Sequence, residues 1–166
     1  EYLGTTAARM DAGDAIYAGF ADYYIPRDKW AALTESLIET GDWTQVDAMA
    51  EPAPASGLAQ NQTIIDDTFA GDTARDILRG MGDDEWSQKA EKAMRRNCPL
   101  SVAATVELIH RVRAISTIEP VLALEYRFTY RSASDGEFVE GIRAAIIDKD
   151  RNPQWKIPTI EEVLDL

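Results

Sequence analysis

The chain has 166 residues, with 29 acidic and 17 basic side chains and a formal net charge of -12. A chain of this length can bury about two-thirds of its unfolded surface, so it needs neither disulfides nor metal ions to fold. Its negative charge repels phosphates and argues against a nucleic acid partner, and its short apolar runs and unpatterned start argue against a membrane span and a signal peptide.

Two Ala-rich helices and one strand are predicted at the start of the chain. Asp11 or Asp14 is available to cap the second helix. In the following stretch, ADYYIP, aromatic and β-branched residues replace the helical pattern, which predicts a short strand at about residues 21–25, ended by Pro26. A strand with unpaired edges needs a partner, and we find none in the rest of the sequence.

Helical spacing of apolar residues continues over most of the remaining chain. The exception is the low-complexity stretch EPAPASGLAQ, residues 51–60, where alternating prolines favour an extended, exposed connection. Trp86, Ala90 and Met94 share one predicted helix face, and so do Val102 and Val106 in the next helix. Roughly nine helices and one strand predict a fold that is mainly α.

Two further helices are predicted near the end of the chain by capping boxes. In SDGE, the Ser134 hydroxyl and the Glu137 carboxylate are spaced to cap a helix that would bury a stripe of apolar residues, namely Phe138, Ile142 and Ala145. Gly141 inside this helix suggests the close approach of a neighbour. Thr159 and Glu162 repeat the capping pattern and predict a last helix, TIEEVLDL.

Residues that could perform chemistry are few. His110 lies within a predicted helix, and no nucleophile elbow, zinc-ligand spacing or glycine-rich phosphate loop accompanies it, so we interpret it as structural. Glu125 lies beside an apolar stripe with Arg127 nearby, which favours an ion pair at a buried edge over acid-base work. Cys98 is interpreted as a helix-end thiol, and as a single cysteine it fits a reducing compartment.

Alternating oxygen-bearing side chains from Asp148 to Asn152 resemble the start of a calcium loop. An EF-hand loop also needs a sharply turning residue at its sixth position and a bidentate Glu at its twelfth. Pro153 and Thr159 occupy those positions in this chain. We therefore predict no metal site, and interpret the stretch as a helix exit with surface charge pairs, after which Pro153 redirects the chain and Trp155 docks.

Three segments of the chain resemble one family. Residues 2–26 are similar to the pattern that follows the catalytic core in the crotonase (enoyl-CoA hydratase/isomerase) superfamily, although Ala7 stands where the pattern has Gly. Residues 98–108 and 135–155 resemble more narrowly the 3-hydroxyisobutyryl-CoA hydrolase branch. The second of these segments carries the most specific combination: Glu140, Gly141, Arg143, Ala144, Ile147, Asp148, Lys149, Asp150, Pro153 and Trp155.

This resemblance implies a CoA thioester as substrate and no cofactor. Crotonase-like proteins form a core of ββα units in which two backbone N–H groups make an oxyanion hole, which stabilises the negative charge developing on the thioester oxygen. In the hydrolase branch, acidic residues act just upstream of the helix that begins this chain. We therefore expect no catalytic residue here, and expect the oxyanion hole and the acids upstream of Glu1, the first residue of a C-terminal fragment or processed product.

The resemblance also implies a domain organisation. Residues 1–26 would end the crotonase core, residues 27–97 would be a branch-specific helical insertion containing the exposed linker 51–60, and residues 98–166 would form a C-terminal helical cap and tail. The fold class is then mainly α: the C-terminal helical portion of a crotonase-like fold, with at most one short strand left from the core at about residues 21–25. That strand is expected to pair with the sheet of the missing N-terminal half.

Trp155 and Lys156 are the candidate residues for approaching CoA. Trp155 matches the aromatic residue after the proline of the family tail, and Lys156 follows it where a basic group would approach a CoA phosphate or adenine. The alternative is that Trp155 only anchors the tail.

The predicted function is the C-terminal region of an acyl-CoA thioester hydrolase, of the type that acts on 3-hydroxyisobutyryl-CoA in valine catabolism and inactive without its other half. The alternatives are the C-terminal region of an enoyl-CoA hydratase/isomerase and a free-standing helical interaction module. The expected partners are the acyl-CoA substrate, the missing N-terminal half and a second copy through the helical region, with no nucleic acid and no membrane. The expected location is the cytoplasm in a bacterium or the mitochondrial matrix in a eukaryote.

Overall fold

Helices dominate the chain in a computed structural model, which describes residues 1–135 and 137–164, and this confirms the mainly α fold class. None of the described helices is both long and apolar enough to cross a membrane. A 3-10 turn covers Arg27–Lys29, a π-helical turn covers Arg143–Ile147, and a second 3-10 turn covers Ile160–Glu162. The α-helices are α1 (Tyr2–Thr6), α2 (Ala12–Tyr17), α3 (Trp30–Thr40), α4 (Thr44–Met49), α5 (Gly57–Gln60), α6 (Gln62–Thr68), α7 (Ala74–Gly80), α8 (Glu85–Arg96), α9 (Pro99–Val112), α10 (Ile118–Asp135) and α11 (Glu137–Ile142).

The chain divides into two compact units. The larger unit consists of Glu1–Ala8 and Ile65–Leu166, and the smaller unit of Arg9–Ile64. That residues 27–97 are a branch-specific insertion stays a prediction.

The hydrophobic core of the larger unit lies among α1, α7, α8 and α9. Ala90 and Met94 of α8 and Val102 and Val106 of α9 are buried, as their helical spacing predicts. Three aromatic rings, those of Tyr2, Phe69 and Trp86, pack together beside them with centroids 5.3 to 6.3 Å apart. Burial of these faces supplies the main driving force for folding this unit.

In the smaller unit, one residue of the predicted strand pairs within the chain. Tyr24 forms an isolated antiparallel bridge with Glu51, whose N–H donates to the Tyr24 carbonyl at 2.9 Å. The Lys29 ammonium holds the same position by binding the Glu51 carboxylate at 2.7 Å and the Met49 carbonyl at 3.2 Å. The expectation that this stretch has no partner in the chain was therefore wrong for Tyr24, while the other residues of 21–25 form no strand. Pairing with the sheet of an N-terminal half stays a prediction.

Only the first part of the predicted linker 51–60 is extended, because Gly57–Gln60 form α5. Asp14 anchors the start of that helix. The Asp14 carboxylate accepts hydrogen bonds from the backbone N–H of Leu58 and the hydroxyl of Ser56, both at 2.8 Å. These two hydrogen bonds, of which that from the Leu58 N–H has the larger effect, lower the pKa of Asp14 below its usual range. Asp11, the other candidate, is the residue that caps α2.

Two capping predictions near the end of the chain were wrong. The Ser134 hydroxyl donates to the Arg131 carbonyl within α10, and the Glu137 carboxylate is bound elsewhere, while residue 136 of the SDGE motif lies outside the described residues. After Thr159 the described chain forms only a 3-10 turn, and the Thr159 hydroxyl bonds the Glu162 carboxylate instead of a helix N–H. Residues 165 and 166 of the predicted last helix are also outside the described residues.

Ala7 ends α1 in a left-handed conformation, with φ 53° and ψ 36°. Its N–H closes the helix by donating to the Leu3 carbonyl at 3.1 Å. This is the position where the family pattern has glycine, which adopts a left-handed conformation without a steric penalty. The substitution of alanine therefore places strain at this helix end.

Replacing Ala7 by glycine should stabilise the larger unit by about 0.5–1 kcal/mol, because relief of the left-handed strain exceeds the extra entropy of an unfolded glycine. Urea denaturation of the chain measures this change. Ala8 is the matched control, since its φ is not positive and Ala8→Gly should destabilise the chain slightly. A loss of stability in A7G would contradict the assignment of strain to Ala7.

Candidate functional site

The residues that carry the most specific resemblance meet where the segment of residues 148–156, hereafter the tail, folds back along α11. Gly141 faces Trp155, and a Cβ atom added to Gly141 would lie 3.3 Å from Cη2 of the indole. The missing side chain therefore lets the half-buried Trp155 ring rest directly on the helix. This contact is the close approach that a glycine inside the helix predicted.

Arg143 is the centre of a cluster that fixes the start of the tail. Its guanidinium binds Glu140 through two hydrogen bonds of 2.8 and 2.9 Å, and it binds Asp148 at 2.6 Å and Asp150 at 2.7 Å. It also donates to the carbonyl of Asn152 at 3.2 Å. We call Glu140, Arg143, Asp148 and Asp150 the arginine clamp. Surface charge pairs were predicted for Asp148, Lys149 and Asp150. The two aspartates make theirs with Arg143, and no ion pair of the described residues involves Lys149.

Two carboxylates of α11 bind backbone N–H groups further along the tail. Glu140 accepts from the N–H of Gln154 at 2.6 Å, and the buried Glu137 accepts from the N–H of Lys156 at 3.2 and 3.4 Å. Because bonds to ionised acceptors are stronger than neutral ones, these two contacts hold the chain on both sides of Trp155. Glu137 therefore positions the tail and does not cap α11.

The backbone at the start of the tail is strained. Lys149 and Arg151 have φ values of 58° and 54°, in the region that non-glycine residues seldom adopt. The N–H of Arg151 donates to the carbonyl of the buried Ala144 at 3.0 Å, which closes this turn. Strain of this kind persists only where surrounding contacts hold it, and the arginine clamp supplies those contacts.

The clamp also changes the ionisation of its acids. Hydrogen bonds from Arg143 and, with a smaller effect, from the N–H of Gln154 lower the pKa of Glu140 to about 2. Arg143 likewise lowers the pKa of Asp150, and the three carboxylates raise the pKa of Arg143 itself. Glu140 and Asp150 therefore stay ionised at neutral pH and are poor proton acceptors for catalysis.

The attachment of the tail should depend on pH in the acid range. A depressed carboxylate pKa contributes stability that is fully present above the ordinary glutamate pKa and is lost as the pH falls through about 2. We expect the indole N–H resonance of Trp155, assigned with Trp155→Phe, to keep its position from pH 7 to about 5 and to move progressively below that. In Glu140→Gln that transition should be reduced, whereas Glu119→Gln, on the neighbouring α10, should leave it unchanged. An identical transition in E140Q would refute this assignment.

The remaining sequence candidates lie outside the arginine clamp. His110 is half-buried in α9, with Nε2 3.2 Å from the Glu1 carboxylate, which agrees with a structural role. Glu125 is exposed on α10, so the prediction of a buried-edge ion pair for it was wrong. Cys98 is a free, half-buried thiol at the N-cap of α9, as predicted.

The prediction that Phe138, Ile142 and Ala145 form a buried stripe was wrong, because other residues of this segment face the protein. Phe138 is 58 % exposed and Ala145 is exposed, whereas Glu137 and Ala144 are buried. The sequence did contain a signal for the face that contacts the tail. Charged residues recur at three-residue spacing, and therefore share one face of the helix, at Glu137, Glu140 and Arg143.

Comparison with known proteins shows which family the chain belongs to. The family model described as enoyl-CoA hydratase/isomerase matches residues 1–165. An enoyl-CoA hydratase from Rhodobacter sphaeroides 2.4.1, known from a crystal structure, is 43% identical with a TM-score of 0.84, over 98% of this chain and 48% of that protein. The crystal structure of a carnitinyl-CoA dehydratase from Mycobacterium thermoresistibile is 32% identical with a TM-score of 0.91, over 99% of this chain and 48% of that one.

Curated relatives are more distant in sequence. The small ribosomal subunit protein mS47 of Arabidopsis thaliana is 29% identical over 98% of this chain and 44% of its own length. The mitochondrial 3-hydroxyisobutyryl-CoA hydrolase of Xenopus laevis is 27% identical over 99% of this chain and 46% of its own length. The chain spans about half the length of the curated relatives it matches, and it corresponds to their C-terminal part. With the family model matching nearly every residue, the chain belongs to the enoyl-CoA hydratase/isomerase family of crotonase-like proteins.

Proposed function

We propose that this chain is the helical C-terminal region of an acyl-CoA thioester hydrolase that acts on 3-hydroxyisobutyryl-CoA or a closely similar thioester. The observation that carries the proposal is the arginine clamp with its attached tail. Its residues are those that resemble the hydrolase branch, and in the structure they form one connected unit around Arg143. The relatives named 3-hydroxyisobutyryl-CoA hydrolase support the same choice.

The catalytic groups, on this proposal, lie outside these 166 residues. Hydrolysis adds water to the thioester carbonyl, breaks the C–S bond and releases the CoA thiol and a carboxylic acid, so it needs oxyanion donors and a carboxylate able to take a proton from water. Glu140 and Asp150 are held ionised by Arg143, and Glu137 is buried against the N–H of Lys156. These acids position the chain and are unsuited to proton transfer.

Trp155 and Lys156 are the proposed contribution of this chain to CoA binding. The contacts of Glu140 and Glu137 fix the backbone on either side of the indole, and Lys156 is exposed next to it. An indole can stack on an adenine base, and an ammonium group can pair with a phosphate. No cofactor is proposed beyond the CoA carried by the substrate.

In the complete protein, Lys156→Gln should raise the KM for the CoA thioester about threefold to tenfold while leaving kcat nearly unchanged, because a phosphate contact far from the thioester binds ground state and transition state equally. Steady-state kinetics of thiol release measure both constants. Lys149→Gln is the matched control, since Lys149 lies in the same tail but in the strained turn. If K156Q has the same KM as the unmodified protein, or if K149Q raises the KM equally, the assignment of a CoA contact to Lys156 is wrong.

The proposed activity is tested with the complete protein and with the 166-residue chain alone. Release of free CoA thiol from 3-hydroxyisobutyryl-CoA by the complete protein, faster than any hydration of crotonyl-CoA, is the expected result. The isolated chain should show no turnover. Thiol release by the isolated chain at a rate similar to that of the complete protein would overturn the location proposed for the catalytic groups.

Two alternatives have observations in their favour, and the same assay separates them. The 43% identical structure is that of an enoyl-CoA hydratase, so rapid hydration without thiol release would assign hydratase activity. A 29% identical relative is named a ribosomal subunit protein, so a complete protein inactive in both assays would favour a helical interaction module. A second copy of the protein remains a proposed partner. For the location, the relative from Xenopus laevis is named mitochondrial, and we propose the matrix for a eukaryotic source and the cytoplasm for a bacterial one.

A further inference from the structure

A groove of about 580 Å³ separates α9 and α10 in the larger unit. The apolar part of its wall consists of Leu100 and Leu108 from α9 and of Leu124 and Phe128 from α10. The volume falls within the range of small-molecule sites, which are about 300–1,000 Å³ and carry a few polar groups on mostly apolar walls. The groove therefore has the size and surface of a ligand site.

Arg127 and Arg131 supply the charge of this groove. They are four residues apart on α10, so their side chains leave the same face of the helix about 5–6 Å apart at Cβ. Within the part of the chain that the structure describes, neither guanidinium group makes a hydrogen bond or an ion pair. A third arginine of the groove, Arg111, is bound by Glu107 at 2.5 Å. The two neighbouring guanidinium groups thus repel each other and have no ion-pair partner among the described residues, in a chain whose net charge is -12.

The remaining acid of the groove defines the orientation of a ligand. Glu137 also lines it, and its buried carboxylate is bound to the N–H of Lys156. An anionic group would be repelled there and attracted to Arg127 and Arg131. From Leu124 to Arg131 the helix rises about 10 Å, which accommodates a short alkyl chain along the apolar walls.

We propose that the groove between α9 and α10 binds an amphipathic anion, with its carboxylate between Arg127 and Arg131 and its alkyl chain against Leu108, Leu124 and Phe128. Two guanidinium groups converging on one carboxylate form charge-assisted hydrogen bonds, and the apolar walls remove the alkyl chain from water. Charge complementarity selects an anion, and the walls select an apolar body. This inference does not rest on the proposed enzymatic function.

Isothermal titration of the complete protein with octanoate tests the proposal. Saturable binding with one site per chain is the expected result. Octanol lacks the charge and octyltrimethylammonium reverses it, so both should bind at least about tenfold more weakly than octanoate. Equal binding of octanoate and octanol would overturn the role of the arginines.

The double variant Arg127→Gln/Arg131→Gln should weaken octanoate binding by at least about tenfold. Both side chains are exposed, so circular dichroism should show an unchanged fold. Arg113→Gln is the matched control: Arg113 pairs with Glu1 outside the groove, and its replacement should leave binding unchanged. Equal binding by the double variant, or binding lost equally in R113Q, would overturn the proposal. Concentration-dependent dimerisation on gel filtration, abolished by the double variant in the absence of octanoate binding, would assign the groove to a second copy.

Discussion

Replacing Ile77 by alanine should lower the free energy of unfolding of the larger unit by about 3 kcal/mol, the usual range being about 2–5 kcal/mol for such a truncation in a core. Ile77 has no exposed surface, and it belongs to the same buried cluster as Phe69, Met94 and Val106. Truncation removes the transfer free energy of the lost methyl and methylene groups and leaves a cavity that close-packed neighbours fill only in part. Urea denaturation followed by circular dichroism measures the change.

Ile147 provides the same substitution without the burial. It is 68 % exposed at the end of the π-helical turn, so Ile147→Ala should change the free energy of unfolding by less than about 0.5 kcal/mol. The difference between the two variants isolates the effect of burial from that of side-chain chemistry. Equal losses in I77A and I147A would mean that the packing of α7 against α9 does not hold the larger unit together.

The helices of the core were predictable because their signal is local. Ala90 and Met94 lie four residues apart and so do Val102 and Val106, and a period of 3.6 residues places each pair on one face whatever surrounds it. A close approach at Gly141 was also predicted, because a glycine inside a helix costs stability and usually has a packing reason. That the neighbour is Trp155 was not predicted. In these cases a few neighbouring residues determine the structure.

The pairing of Tyr24 and the face of α11 were not predictable in the same way. Glu51, the partner of Tyr24, lies beside Pro52 in a stretch with little tendency to form strands, and only contacts such as that with Lys29 bring it there. On α11, Phe138 is exposed because ionic contacts with the tail determine which side faces inward. Hydrophobic patterns assume that apolar residues lie inside, and this assumption fails where charged groups make the long-range contacts.

The candidate site was predicted in composition but not in arrangement. The combination of Arg143 with Asp148 and Asp150 was recognised from the resemblance, yet the resemblance does not say which atoms meet. Four acceptors converge on one guanidinium because the strained residues Lys149 and Arg151 turn the chain back. Lysine and arginine disfavour positive φ values, so these residue types did not indicate the turn. Trp155 and Lys156 stay predictions as CoA contacts, with their backbone positions now explained by Glu140 and Glu137.

Replacing Arg143 by glutamine should release the tail from α11. Glutamine cannot bridge Glu140, Asp148 and Asp150, and the three carboxylates would then repel one another without a shared counter-ion. Individually such half-exposed pairs stabilise little, but here three of them are lost together at a strained turn. We expect the tail to open while the core of the larger unit stays folded.

Trypsin reports this opening directly, because Lys149 and Arg151 are cleavage sites inside the turn. Cleavage at these two sites, followed by mass spectrometry, should accelerate on the order of tenfold in R143Q, since proteolysis of a folded protein follows the population of the locally open state. Arg79→Gln is the matched control, because Arg79 has a single exposed partner, Asp76, at 3.5 Å and should leave both rates unchanged. In the complete protein the same release should raise the KM for the CoA thioester if Trp155 contacts CoA. An unchanged cleavage rate in R143Q would show that Gly141 packing and the Glu137 contact hold the tail without the arginine clamp.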